Sequence, residues 1–254
     1  MAHPDIRKII TEDGSASLYS NSYNQSYHNP NGALTESKHV FFEPEPISQL
    51  FAGVSGVSVF ETGFGTGLNL ILLLDKAFQL GIPLQYMAVE AALISPEVLM
   101  DAGYDEYITH KDLVSDIAAL LGQPNSGMNT INLGRNIEVS IFCGYFDDCE
   151  LPHHQFNLFF HDAFSPDVNG ELWTLDTFKK LRQAATSEAI LTTYCAASAA
   201  RAAMAAAGWY VAKAPGALGK REMTLAATQT SALDRYKRIN EKRLTQRLMN
   251  GDFD

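Results

Sequence analysis

Three acids and three glycines in this chain are spaced for chemistry. Residues 61–67 read ETGFGTG, so that Glu61 is followed by Gly63, Gly65 and Gly67 at alternate positions. Alternating glycines make a tight turn whose backbone a ligand can approach closely. A second acid, Glu90, ends an apolar run 29 residues after Glu61, where nucleotide-binding α/β folds place an acid on a ribose diol. A third, Asp162, follows the apolar run Phe156–His161 in the stretch HDAFSPDVNGELWT. The turn is not a dinucleotide fingerprint, Gly-x-Gly-x-x-Gly/Ala. Its third glycine comes one position early, and Leu68 stands where close helix–strand packing needs a small residue. Glu61 is an unfavourable neighbour for a pyrophosphate and suits a ligand that carries positive charge. The expected chemistry is therefore the binding of a cationic nucleoside-like ligand, with Asp162 beside it.

The elements that must position these residues follow from hydrophobic pattern. Val57–Phe60 is short and β-branched enough for a buried parallel strand. Leu68, Leu70, Ile71, Leu72 and Leu74 suit a helix packed back on the sheet. Pro83–Glu90 is the second strand, and Ser95 caps a helix with Pro96 in its first turn. Residues 105–122 read as a helix and 123–135 as a polar loop. Asn136–Phe142 alternates as a third strand should, and Phe156–His161 is the fourth. Pro166 keeps residues 163–166 in a loop; Thr174 to Ala185 is a helix. Ala189–Cys195 is the fifth strand, and an alanine-rich helix over 196–207 stops at Gly208. Trp209–Lys213 and Glu222–Ala227 are the last two strands. The loop between them is too short for a crossover helix, which makes them antiparallel.

Residues 15–43, rich in Tyr, Ser and Asn, are expected to form short strands or a hairpin. Tyr19, Tyr23 and Tyr27 recur every four residues, but the Ser, Asn and Gly around them favour a loop-rich segment over a helix. Glu36 is a candidate polar site residue. The expected organisation is an N-terminal extension or lid over 1–45, the main α/β domain over 46–229, and a basic C-terminal helix over 230–254.

An apolar content of 46% permits a sizeable core. Cys143, Cys149 and Cys195 form neither a metal spacing nor a disulfide framework and are expected as reduced thiols. No metal site is expected. No apolar stretch suits a signal peptide or a membrane span, which points to the cytoplasm. The net charge of −10 argues against general nucleic-acid binding, but it is unevenly spread. Residues 201–254 hold ten Lys/Arg and five Asp/Glu, against nine and twenty-four in residues 1–200. A basic end on an acidic body can meet a polyanion locally, or it can be a solvated final helix.

Glu-x-Gly-x-Gly-x-Gly resembles motif I of class I S-adenosylmethionine-dependent methyltransferases. GALTESKHVF, ETGFGTGLN, HDAFSPDVNGELWT and PGALGKREMTLA together resemble the methyltransferase domain of the bacterial tRNA 5-methylaminomethyl-2-thiouridine biosynthesis (MnmC-like) enzymes, above all the stand-alone forms without an oxidase domain. The resemblance runs from about Tyr19 to Ala227. It implies a Rossmann-like α/β sheet of seven strands with an antiparallel last strand. It also implies S-adenosylmethionine as cofactor and methylation of the 5-aminomethyl group of wobble 5-aminomethyl-2-thiouridine in tRNA, with the anticodon region as partner. Glu61, Gly63, Gly65, Gly67 and Glu90 then become cofactor contacts.

The chain departs from the family's pattern at two places. Where the family has Gly-Asp, with the acid facing adenine, Gly144 is followed here by Tyr145; Asp147 or Asp148 can stand in. The family's Asn-Pro-Glu is Asn169-Gly170-Glu171. With no room for an oxidase domain, the aminomethyl substrate is expected from other enzymes.

Methyl transfer to an amine needs the neutral amine aligned and a proton removed. Asp162 is expected to orient and deprotonate that amine, with Phe164 stacking on the base. Lys220 and Arg221, at the rim, are expected to contact phosphate, and Glu222 to orient their loop. N-methylation of a small amine and a non-catalytic nucleotide-binding scaffold stay open as alternatives. So do the oligomeric state and the choice of tRNA.

Overall fold

Short apolar runs buried on both faces can only be central strands of a parallel sheet with helices on each side. The computed structural model describes residues 5–53, 56–122, 124–134 and 136–253. Residues 1–4 of the expected lid, and Gln123 and Arg135 of the expected polar loop, lie outside the described residues. In chain order the elements begin with β1 (Ile6–Ile10), β2 (Ala16–Ser20), β3 (Gln25–Ser26), α1 (Ala33–Phe41) and α2 (Glu45–Ala52). Next come β4 (Val57–Thr62), α3 (Leu68–Leu80), β5 (Leu84–Glu90), α4 (Pro96–Asp101) and α5 (Asp112–Leu121). They continue with β6 (Gly127–Asn132), β7 (Ile137–Cys143), β8 (Phe156–His161), α6 (Leu175–Ala184), β9 (Ala185–Thr193) and α7 (Ser198–Ala206). The last are β10 (Tyr210–Pro215), β11 (Glu222–Ala227), β12 (Lys237–Arg238) and α8 (Glu241–Met249).

The main sheet has the order β12-β10-β11-β9-β8-β4-β5-β7-β6. Its centre, β9-β8-β4-β5-β7, is parallel throughout. From β4 the chain winds outward through β5 to β7, then returns to lay β8 on the other side of β4. That reversal opens a crevice at the carboxyl ends of β4 and β8, where such sheets bind ligands. β11 is antiparallel to both β9 and β10, as the short loop between β10 and β11 requires.

Nine strands are present in this sheet among the described residues, where seven were expected. The polar stretch 123–135 contains β6, antiparallel to β7 at the sheet's edge. Its residues alternate between half-buried and exposed. A strand with one neighbour and a solvated face needs few apolar residues, so no hydrophobic pattern marked it. The terminal helix is also shorter than expected. Residues 230–240 form a 3-10 turn and β12, and α8 spans only Glu241–Met249.

The N-terminal stretch folds as a small separate sheet, β1-β2-β3, followed by α1 rather than by further strands. α1 has no capping side chain of its own at Gly32. Its first N–H groups are capped from the hairpin: Ala33 donates to Thr11 Oγ1, Leu34 to Ser15 Oγ and Thr35 to Asp13 Oδ2. Burial works to raise the Asp13 carboxyl, but hydrogen bonds from Ser15 and Thr35 outweigh it and hold the group below its ordinary value. Val40 and Phe41 then bury α1 in the main core, and Thr192 Oγ1 donates to Val40 O at 2.6 Å. The extension is thus fastened to the domain through α1.

Arg201, on α7, is buried and ties three groups of β11 together. It donates to Thr224 Oγ1 at 2.9 Å, Glu222 Oε2 at 2.9 Å and the Met223 carbonyl at 3.1 Å. Glu222 also receives Lys213 and so anchors the loop 216–221. Arg201→Met should destabilise the fold by about 2–4 kcal/mol in denaturant melts, because buried acceptors lose their donors. Arg247→Ala, which removes an exposed pair with Asp252, should cost under ~1 kcal/mol. Equal losses would show that Arg201 has no special structural role.

Candidate active site

The crevice at the carboxyl ends of β4 and β8 is a cavity of about 400 Å³. Its floor is the glycine turn between β4 and α3. Gly63, Gly65 and Gly67 all have positive φ, at 87°, 56° and 78°, a conformation that L side chains rarely adopt. A Cβ on Gly63 would lie 2.9 Å from the Asp162 carbonyl oxygen, against backbone that cannot move aside. Gly63 and Gly65 line the cavity. Gly67 instead sits behind it as the residue preceding α3, packed against Phe64 and Leu99.

Glu90, at the end of β5, reaches over the turn. Its Oε2 accepts from the Gly65 N–H at 3.1 Å and its Oε1 from the Ala92 N–H at 2.9 Å. Burial pushes its carboxyl upward, and these backbone donors partly offset that. Asp147 lines the cavity from the 3-10 turn Phe146–Asp148, with an exposed side chain, and Asp148 does not line it.

Glu61 lies behind the cavity wall, fully buried. Its carboxyl accepts from the Tyr86 hydroxyl and, at 2.8 Å, from Asn69 Nδ2. The same Asn69 Nδ2 donates to Asp162 Oδ2 at 2.9 Å. One amide on α3 therefore joins the acid ending β4 to the acid following β8. Asp162 lines the cavity beside Asn69, and its Oδ1 carries no hydrogen bond among the described residues. Burial raises the Asp162 carboxyl well above its ordinary value; Glu61 and Glu36 push the same way, and Asn69 and Lys220 act against them.

The walls come from both ends of the chain. Phe164 packs against Tyr23 and Tyr27 of the N-terminal segment, each with ring centroids 4.9 Å away. Trp173 Nε1 holds the Phe164 carbonyl at 2.8 Å, and the Tyr194 hydroxyl holds that of Ala163 at 2.9 Å. Lys220 turns inward. Its ammonium meets Glu36 Oε1 at 2.7 Å and lies 4.8 Å from the centre of the Tyr194 ring. Arg221 is exposed, does not line the cavity and has no ion-pair partner among the described residues.

Three of the six Lys and Arg residues over 230–254 are already paired. Arg235 meets Glu45, Arg238 meets Glu241 and Arg247 meets Asp252. Among the described residues, no group of three or more His, Cys, Asp or Glu could hold a metal, and no helix is long and apolar enough to cross a membrane.

Sequence reasoning did not single out Asn69, Tyr86 or Tyr194. For Asn69 a signal existed. An amide inside the run LNLILLL must be buried with the helix, and leaving it without partners costs about 1–3 kcal/mol. Its neighbours Glu61 and Asp162 are the polar groups within reach.

The family model described as S-adenosyl-L-methionine-dependent methyltransferase matches residues 110–229. A curated relative, the tRNA 5-methylaminomethyl-2-thiouridine biosynthesis bifunctional protein MnmC of Ralstonia nicotianae, is 31% identical over 222 residues. That alignment covers 84% of this chain and 33% of the relative, so the chain spans about a third of the length of the curated relatives it matches. Among solved structures, MnmC2 from Aquifex aeolicus has a TM-score of 0.71 at 20% identity, covering 98% of this chain and 78% of that one. Spermidine synthase from Thermotoga maritima has a TM-score of 0.55 at 10% identity, covering 91% and 72%. At these identities the two structures bear on the fold alone.

Burial lifts the Glu61 carboxyl to about 8, against the donated bonds of Tyr86 and Asn69. The folded protein therefore keeps a proton that the unfolded chain releases near pH ~4.3. The stability this proton confers is complete below that pH and is lost as pH rises through about 8. Glu61→Gln, which cannot titrate, should lose less stability than the wild type between about pH 5 and pH 8 in denaturant melts. Parallel pH dependences would mean that Glu61 is ionised in the folded protein.

Proposed function

This chain belongs to the S-adenosyl-L-methionine-dependent methyltransferases, and on that premise we propose that it methylates the 5-aminomethyl group of wobble 5-aminomethyl-2-thiouridine in tRNA. The observation that carries the reading is Asp162. It stands at the carboxyl end of β8, beside the glycine turn, with one oxygen held by Asn69 and the other open to the cavity. The names of the curated relatives support the substrate.

The residues present fit the cofactor. Gly63 and Gly65 bring bare backbone to the cavity floor, and the carboxylates of Glu90 and Asp147 supply acceptors for hydroxyl and amino donors. Glu61 supports this floor from behind through Asn69, and Gly67 shapes the entry to α3. S-adenosylmethionine supplies a methyl group on a positively charged sulfur.

The protein's own part is to align the acceptor and handle its proton. An amine reaching Asp162 Oδ1 donates a hydrogen bond that orients its lone pair. The ionised carboxylate stabilises the positive charge that develops on nitrogen as the methyl group leaves sulfur, and it then takes one proton from the secondary ammonium that results. The raised affinity of Asp162 for protons makes it a better base than an exposed carboxylate. A cationic ligand beside it lowers that affinity again, so the group ionises when it is needed. Phe164, fixed through its carbonyl by Trp173 and through its ring by Tyr23 and Tyr27, lines the cavity where a base can pack on this aromatic cluster. Within residues 201–254, Arg221, Lys237, Lys242 and Arg243 lack ion-pair partners among the described residues and are the cations left there to meet phosphate. A cytoplasmic location fits such a substrate.

A second reading, N-methylation of a small amine, is favoured by one fact: the only Lys or Arg lining the cavity among the described residues, Lys220, is paired with Glu36. Turnover of a free amine, insensitive to salt and without tRNA, would support it.

Incubation with labelled S-adenosylmethionine and tRNA lacking the final methyl should yield labelled 5-methylaminomethyl-2-thiouridine on nucleoside analysis; no label in any nucleoside would contradict the proposal. Asp162→Asn should lower turnover by roughly 10²–10⁴ while changing cofactor affinity far less, and near-normal turnover would remove Asp162 from the chemistry. Gly65→Val should abolish cofactor binding by calorimetry. Its side chain would meet Tyr27 and occupy the floor from a backbone at positive φ.

A further inference from the structure

Lys220 and Glu36 meet in the cavity wall, and neither is explained by cofactor binding. Glu36 is a buried residue of α1. Its Oε2 is fixed by the Asn29 N–H at 2.7 Å, which turns Oε1 toward the Lys220 ammonium. The Tyr194 ring lies beside the same ammonium, and the Tyr194 hydroxyl is anchored on the residue following Asp162. Glu36, Tyr194 and Asp162 therefore make an acid-and-aromatic cage with a cation in it. That cation belongs to a side chain 41% exposed, on a tight loop. The loop backbone is held by the Lys220 N–H to the Ala217 carbonyl at 2.9 Å, and Gly216 packs directly on Lys220. The lysine side chain can swing out while its backbone stays.

We propose that the Lys220 ammonium is a tethered stand-in for the acceptor amine, seated between Glu36 and Tyr194, and that it yields this place to the substrate's own cation and moves to a phosphate of the same substrate. This deepens the amine-methylating function proposed for the site and rests on it. The exchange follows from charge. Glu36 is too buried to be left without a cation, so Lys220 leaves only when another positive group arrives. A displaced lysine beside a cavity lined by carboxylates is in turn stabilised by an anion that comes with that group. The site thus favours acceptors that carry both an amine and a nearby phosphate, an aminomethyl nucleotide within a polynucleotide, over simple amines.

The probes are 5-aminomethyl-2-thiouridine as the free nucleoside, which has the amine and no phosphate, and tRNA carrying it. Binding is measured by calorimetry with S-adenosylhomocysteine present, and methyl transfer is measured alongside. If Lys220 fills the cage about 90% of the time, Lys220→Met should bind the nucleoside about tenfold more tightly than the wild type, since the competent fraction rises accordingly. The same variant should bind tRNA more weakly. Glu36→Gln, which keeps an acceptor for the Asn29 N–H, should weaken nucleoside binding. Unchanged, weaker or undetectable nucleoside binding by Lys220→Met would overturn the proposal and leave Lys220 a phosphate contact only. The binding pattern without any methyl transfer by the wild type would instead overturn the assigned reaction and leave the cage in place.

Discussion

A single amide shared between a buried carboxyl and one that opens on the cavity holds the site together. Asn69 donates to Glu61 on β4 and to Asp162 after β8, and Tyr86 on β5 secures Glu61 from the other side. Two carboxylates this close in a low-dielectric interior would repel each other strongly if both were ionised. Burial resolves the conflict by raising the proton affinity of both acids, while the hydrogen bonds from the shared donor oppose that rise and hold the two carboxyls in place. The arrangement also joins three parallel strands to the first turn of α3 at the place where the sheet reverses direction. Backbone bonds complete it: Asp162 N–H meets the Thr62 carbonyl at 2.9 Å and Gly63 N–H meets that of Val89 at 3.1 Å. The glycine turn is held between these fixed points, which is why a Cβ at Gly63 finds only backbone.

The parallel core was readable from the chain because its strands are apolar on both faces, and Glu90 and Asp162 were readable because each ends such a run. What escaped notice has a common cause. β6 and β12 lie at sheet edges, where one neighbouring strand and a solvated face demand no apolar pattern. Asn69 was hidden within an apolar helix whose period it does not disturb. The inward turn of Lys220 depends on α1, 184 residues away in sequence, and no local spacing carries that information. Tyr23 and Tyr27 recur at a spacing that invites a helix, yet they come together on Phe164 from a turn and the end of a small sheet.

The uneven charge takes on a narrower meaning in three dimensions. The last quarter of the chain is basic by count, but Arg201, Lys213, Lys220, Arg235, Arg238 and Arg247 all have acidic partners. Much of the apparent basic face fastens the last strands and α8 to the body. Long-range attraction for a polyanion is weakened accordingly.

In the proposed methyl transfer, Asn69 positions Asp162 and holds down the proton affinity that burial raises. The most direct measurement is the pH–rate profile of that transfer in the wild type and in Asn69→Ala, with cofactor affinity measured in parallel. Loss of the donor to Asp162 should lower the maximal rate and move the rising limb to higher pH, leaving cofactor binding little changed. An Asn69→Ala profile that coincides with the wild type in both height and midpoint would contradict the claim.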